Sequence, residues 1–499
     1  MLKKITITSV AVAMAISSNA QKLKKTPEYL LTPSFTETHI RFLASDELLG
    51  RRTGDQGNKV AARYIAEQFR SLGIKPVNTG DYFQKVELES VTPPAGATIT
   101  TQEGVAKIGE DFVLMSGDGL TNSSAEVVYL EYAWIDAEKG YDDYKGVDVK
   151  GKIIVTSAGT PDTKSPQQMF STIGPKQKIA KEKGALAIIE VFNSPVPWRN
   201  ISNYFGRKGI KLKTAGETSG GPTHLWISSA SAKILAKNKI SKIDLNIPKK
   251  QTEEVNSSNV VGVLEGSDPV LKNEYIVLSA HYDHIGYGAA RGNVASGDTI
   301  FNGARDNAFG VTAVLTAAES FAKLKPKRSI LFIAYTGEEL GMLGSKYYSE
   351  HPLIPMKNCV FNLNCDGAGY NDMTKITVIG LSRTDAKSEI VAAATAFGLT
   401  ATDDPAPEQN LFDRSDNVSF AAKGVPSPNY APGMTAFDDA INKYYHQSAD
   451  NPESVDFNYL LKYAQSYTYA ARLIANRAKA PAWIAGDKYE KAYQTLYGK

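Results

Sequence analysis

Sulfur, charge imbalance and long apolar runs are all scarce in this chain, and each scarcity removes a class of explanation. Only two of its 499 residues are cysteines, Cys359 and Cys365, both inside "NCVFNLNCDG". That segment reads as one buried strand, which at ~3.3 Å per residue sets their Cα atoms about 20 Å apart, beyond the ~4.4 to 6.8 Å a disulfide spans. The thiols are expected to stay free, and the fold must rest on its core. The formal net charge is only +3, and no long block of like charge occurs, so neither nucleic acid nor an anionic membrane is indicated as partner. Beyond the first residues no run approaches the roughly 18 apolar residues of a membrane span. What is present is ordinary for a folded globular protein, 42% hydrophobic and 22% charged, with length for about two or three domains.

The opening "MLKKITITSVAVAMAISSNAQ" sets two lysines before a short apolar stretch and small residues ahead of Gln21. This is a signal-peptide layout, with cleavage expected after Ala20; a buried N-terminal strand explains the lysines and the spacing of small residues less well. The mature protein is expected to be exported, periplasmic or secreted, without an integral membrane anchor.

From 36 to 75 a glycine-rich turn precedes apolar positions Ala61, Tyr64, Ile65, Phe69 and Leu72 at helical spacing, and Gly73 supplies the stop. After about 95, β-branched segments take over: "AEVVYLEY", "KGKIIVTSAG" and "ALAIIEVF" read as short strands around one lysine-rich helix, "PKQKIAKEKG". From 259 onward strands alternate with helices expected at 307–323, 340–350 and 386–397. Alternation of this kind predicts an α/β fold, a mixed and mostly parallel sheet with helices on both faces. The helix at 57–72 has no sheet of its own, so the β-rich stretch reads as an insertion into one α/β domain.

The ends of the predicted strands gather the chemistry. His281 and Asp283 follow "EYIVLSA", Asp306 sits in "FNGARDNAFG", Glu338 and Glu339 follow "SILFIAYTG", and Asp366 follows "VFNLNC"; His446 lies in "KYYHQSADNPESVD". Open α/β sheets bind ligands beyond the carboxyl ends of their strands, so these groups are expected to converge. Each alone is explained by a solvated loop or a helix cap; the set is not. His281 and Asp283, two apart on an extended segment, share a face, so the carboxylate is expected to accept the second ring N–H of the imidazole. Adjacent Glu338 and Glu339 repel unless a cation or proton intervenes, and at a helix start they point about 100° apart.

These residues, in this order, resemble the co-catalytic zinc exopeptidases of metallopeptidase family 28, which includes bacterial leucyl-type aminopeptidases and glutamate carboxypeptidases. The motifs are "HYDH", "GARDNAFG", "TGEELGMLGS", "NCDG" and "YYHQSAD", and the resemblance runs from about 36 to 475. It implies peptide substrates and two Zn²⁺ per chain: one held by His281 and Asp366, the other by Glu339 and His446, with Asp306 bridging. Glu338 is implied as general base and Asp283 as the group orienting His281. A cis peptide between Asp306 and Asn307, with Asn307 turned away from the metals, is also implied. "DYKGVDVKGKIIVTSAG" and "KQKIAKEKGALAIIEV" look like a protease-associated domain. The expected division is a signal peptide at 1–20, a first peptidase part at 34–95, the protease-associated insertion at 96–250, a second peptidase part at 251–480, and a C-terminal helical extension at 481–499. Two departures stand out. Phe309 stands where the family often has serine, and Asn417 in "RSDNV" where it often has "SDH"; both are expected along the substrate pocket.

Charge balance agrees with this ligand set, since three carboxylates against two Zn²⁺ leave one positive charge for a bridging hydroxide to neutralise. Oxygen and nitrogen donors suit zinc, and leave cobalt and manganese open. The implied reaction is hydrolysis of N-terminal residues from peptides, with a carboxypeptidase or dipeptidase as alternative. Two remoter readings are glutaminyl cyclase, which keeps a single zinc, and a metal-free binding protein like transferrin receptor. Residue specificity and oligomeric state are left open.

Overall fold

The computed structural model describes residues 26–498 apart from 78–79, 118, 164, 214–220, 237–239 and 289–296. The expected leader, 1–20, lies outside the described residues, and among those described no helix is long and apolar enough to cross a membrane. The chain divides into two compact units, one formed by the residues up to Glu87 together with Asn256–Lys499, the other by Leu88–Val255.

The sheet of the first unit uses strands β1 (Phe83–Thr92), β2 (Gln251–Leu264), β3 (Tyr275–His281), β4 (Ser329–Tyr335), β5 (Cys359–Cys365), β6 (Lys375–Ile379), β7 (Thr400–Thr402) and β8 (Asn429–Pro432). They run in the order β1-β2-β4-β3-β5-β8-β6-β7. The neighbours β4, β3, β5 and β8 are parallel, and antiparallel pairing appears where β2 meets β4 and β6 meets β8. Every residue of β4 and β5 is buried, as expected for parallel strands covered on both faces.

Alternation along β4 shows the two layers. Ile330, Phe332 and Ala334 join the core beneath helices α1 (Pro33–Leu43), α2 (Gln56–Ser71), α3 (Phe309–Lys323) and α6 (Phe457–Ala475). Leu331, Ile333 and Tyr335 face the other way, onto Tyr348 of α4 (Leu343–Glu350) and Phe420 of α5 (Asn417–Ala422). Both cysteines are buried and free. Within β5, Asn362 and Asn364 are buried amides, and both accept from Ser279 of β3.

Two helices begin later than expected. The helix placed at 307–323 starts at Phe309, because Ala304–Ala308 forms a π-type turn with Asp306 and Asn307 non-helical. A carboxylate from Asp450 takes the N–H groups of Arg305 and Asp306, which removes them from any helical ladder. The helix placed at 340–350 starts at Leu343, since Gly341 and Met342 adopt positive φ and close a turn onto the Glu338 carbonyl. Glu338 and Glu339 therefore sit in a turn, not on a helix.

The second unit is β-rich. Parallel strands Leu120–Tyr129, Ile153–Ser157, Ala187–Phe192 and Thr223–Ser228 form its middle, with antiparallel partners outside them. Its lysine-rich helix runs from Pro166 to Glu182, well before the expected "PKQKIAKEKG". Ser165 and Gln168 form a capping box there, and Pro175 is carried inside the helix.

Candidate metal centre

Three adjacent parallel strands deliver the cluster. The register pairs His281 of β3 with Tyr335 of β4, so the Glu338–Glu339 turn follows directly beyond it, and Asp366 follows the end of β5. The π-type turn brings Asp306, and the loop before α6 brings His446, whose φ of 56° is left-handed. His281 Nε2 lies 3.3 Å from Asp306 Oδ1 and 3.2 Å from Asp366 Oδ1. His446 Nε2 lies 3.3 Å from Asp306 Oδ2 and 3.0 Å from Glu339 Oε2. The two oxygens of Asp306 thus address two separate sets of donors.

One imidazole in this cluster was not singled out from the sequence. His284, the last residue of "HYDH", sets Nδ1 2.7 Å from Glu339 Oε1, and its buried Nε2 has no hydrogen-bond partner among the described residues. Ligand atoms of His281, Asp306 and Asp366 lie within 4.8 Å of one another, and so do those of His284, Asp306 and Glu339. The signal for His284 was in the same motif, but a second histidine at a strand end was assigned nothing.

Asp283 acts differently from expectation. His281 Nδ1 is 3.2 Å from the Asp283 carbonyl oxygen and 3.7 Å from its carboxylate. That carboxylate instead accepts from the Thr53 hydroxyl at 3.0 Å and the Glu338 N–H at 3.1 Å. Because a carbonyl only accepts, the Nδ1 contact puts the proton there and leaves the Nε2 lone pair facing Asp306 and Asp366. Buried Arg51 ties the surrounding loops together, donating to the carbonyls of Tyr282 at 2.8 Å and Gly303 at 2.9 Å.

The electrostatics call for cations at both sets. Burial alone would lower the pKa of His281 and His446. Neighbouring carboxylates more than reverse it, raising His281 well above its ordinary value and His446 to about 10. Burial alone would raise Asp306 and Glu339, but the imidazoles hold Asp306 well below the carboxylate range and Glu339 at about 2. Protons on imidazoles thus stand where positive charge is wanted, and metal ions would supply that charge with the imidazoles neutral. Glu338 behaves in the opposite sense: burial raises it well above its ordinary value, and Asp366 and Glu339 add to the rise. The donor set fits a pair of divalent cations sharing Asp306.

Residues 259–471 match the model of peptidase family M28. The chain carries a peptidase family M28 domain. It is 24% identical over 450 residues to aminopeptidase YwaD of Bacillus subtilis (strain 168), covering 89% of this chain and 86% of that protein. A vacuolar membrane protease of Saccharomyces cerevisiae (strain ATCC 204508 / S288c) is 33% identical over 115 residues, 23% of this chain and 10% of that protein. The solved aminopeptidase of Aneurinibacillus sp. strain AM-1 shares the fold, with a TM-score of 0.53 at 21% identity over 89% of this chain and 94% of that one.

The M28 domain contains every residue of the cluster. It also contains Asp450, four positions after His446, which the sequence reading passed over. By holding the N–H groups of Arg305 and Asp306 at 2.9 to 3.1 Å, Asp450 links the His446 loop to the Asp306 turn. The peptide bond between Asp306 and Asn307 is cis, and Asn307 turns away to donate to the Cys365 carbonyl at 2.8 Å. Asp306, Glu338, Asp366 and His446 line a pocket together with Ile379, Leu411, Met434 and Phe437. The two departures from the family motif do not line it. Phe309 packs on Tyr463 and Tyr459, and buried Asn417 donates to the Phe412 carbonyl at 3.0 Å.

Proposed function

We propose that the protein is an exported zinc aminopeptidase that removes N-terminal residues from peptides, with two Zn²⁺ per chain. His281 and Asp366 hold one ion, Glu339 and His446 the other, and Asp306 bridges. The observation that carries this reading is the split of Asp306, one oxygen toward His281 and the other toward His446. Aminopeptidase is preferred over carboxypeptidase because YwaD and the Aneurinibacillus protein are aminopeptidases. The leader-like residues 1–20 support export, and the β-rich second unit is proposed to be a protease-associated domain.

Zinc ions bound here supply Lewis acidity, polarising a carbonyl and acidifying water. Glu338 takes the proton from the attacking water and returns it to the leaving amine, the task of a general base and acid. Its carboxylate faces the pocket while its own N–H is fastened to Asp283, so the group is presented from a fixed turn. Asp283 orients two partners at once, the Glu338 backbone through its carboxylate and the His281 ring through its carbonyl. His284, against Glu339, fixes the orientation of that carboxylate.

Leucine p-nitroanilide, leucyl peptides and their N-acetylated forms test this directly. The zinc-loaded protein is expected to cleave the free-amine forms and to spare the acetylated ones. Cleavage that tolerates an acetylated amine and requires a free carboxyl end contradicts the aminopeptidase reading.

A further inference from the structure

Arg414 is the one arginine or lysine among the residues that line the pocket beside the metal centre. It is exposed and makes no hydrogen bond or ion pair with any described residue. None of the nearby acidic groups pairs with it, and three are engaged elsewhere. Asp413 is held by Lys488 at 2.7 Å and by the Tyr489 hydroxyl at 3.1 Å. Asp416 is fully buried. Asp366 and Asp306 face imidazoles. A free guanidinium at a pocket wall has no partner within the protein, and its planar fork matches a carboxylate.

The turn that carries it is well anchored. Leu411–Arg414 is a single 3-10 turn, with Phe412 buried under the Arg383 guanidinium and its carbonyl accepting from Asn417. The same pocket gives Ile379, Leu411, Met434 and Phe437 as an apolar bed for an aliphatic stem, apart from the carboxylates of the cluster, so it holds both an apolar patch and one guanidinium. A purely hydrophobic substrate side chain would leave that charge unused. A side chain or short peptide ending in a carboxylate fills both features.

We propose that Arg414 is a specificity-determining residue that recognises a substrate carboxylate, so the enzyme prefers peptides with an acidic group close to the scissile bond. This deepens the exopeptidase reading above and rests on it. The carboxylate has two possible sources, the side chain of an N-terminal Glu or Asp and the α-carboxylate of a dipeptide.

The test uses the full-length zinc-loaded protein and its Arg414→Met and Arg414→Lys variants. Glutamyl against glutaminyl p-nitroanilide probes the side-chain source; Leu-Gly against Leu-Gly amide probes the α-carboxylate. Expected is a kcat/KM preference of about tenfold for the acidic member of at least one pair, in line with a charge-assisted hydrogen bond. The preference falls to near one in Arg414→Met and is partly kept in Arg414→Lys. Ratios near one for both pairs in the unaltered protein overturn the proposal, and so does a preference that survives in Arg414→Met. Calorimetric binding of L-glutamate against L-glutamine, and of Leu-Gly against its amide, reads the same contrast without turnover. Failure to cleave any of these substrates would sink the exopeptidase reading, while the binding contrast still decides the role of Arg414.

Discussion

Glu338 and Glu339 are chain neighbours whose surroundings push their proton affinities apart. Glu339 meets two imidazoles, His284 and His446, and is held near a pKa of about 2. Glu338 meets burial and other carboxylates and is raised. Their separation supports the proposed division, Glu339 for cation binding and Glu338 for proton transfer. Glu338→Gln keeps the shape of the side chain and removes the proton acceptor. It is expected to keep full zinc content and to lower kcat roughly 10²- to 10⁴-fold; loss of zinc in that variant, by metal analysis, would mean the two residues have exchanged roles. At this scale the sequence was informative where a histidine or carboxylate follows a strand, as with His281 and Asp366, or stands in a motif of its own, as with Asp306 and His446. It was silent on Asp450 and Arg51, which act through backbone groups far away in the chain. It also misdirected the Asp283 carboxylate, because Thr53 and the Glu338 N–H compete for it and neither is a sequence neighbour.

Elements were legible where apolar periodicity and caps agree. Helix α2 runs Gln56–Ser71 against the expected 57–72, and the strand holding both cysteines is buried throughout. The late starts of α3 and α4 were not legible, since each is caused by a turn whose partners lie elsewhere: Asp450 for one, the left-handed Met342 for the other. Helices α1 and α2 also contain a pH-sensitive contact. His39 of α1 is 2.9 Å from the Tyr64 hydroxyl of α2, its Nε2 has no partner among the described residues, and burial lowers its pKa to about 4. Above pH 6.5 the ring is neutral in both folded and unfolded chains and costs nothing. As pH falls from 6.5 towards 4 only the unfolded chain takes up the proton, so stability is lost across that window, by up to about 3 kcal/mol. Denaturant unfolding of the native chain and of His39→Phe is expected to show their stability difference shifting against the native chain by that order between pH 7 and pH 4. A difference independent of pH would refute the assignment.

At the scale of the molecule, an α/β unit formed from both ends of the chain carries the whole cluster, and the intervening Leu88–Val255 forms a β-rich unit of its own. The switch from helical to β-branched patterning after about 95, and the return of strand–helix alternation from 259, made this two-part organisation readable before the structure. The convergence of these side chains was readable for the same reason: parallel strands bring their carboxyl ends to one edge of the sheet. What the pattern could not show is which oxygen of Asp306 faces which imidazole, and the account turns on that. Zinc analysis of the purified full-length chain beside its Asp306→Asn variant is the measurement that tests it most directly. The account predicts two zinc ions per chain in the unaltered protein and loss of both together in the variant, since a shared carboxylate cannot be removed from one ion alone. Two zinc ions retained by Asp306→Asn, or a single ion in the unaltered protein, would contradict it.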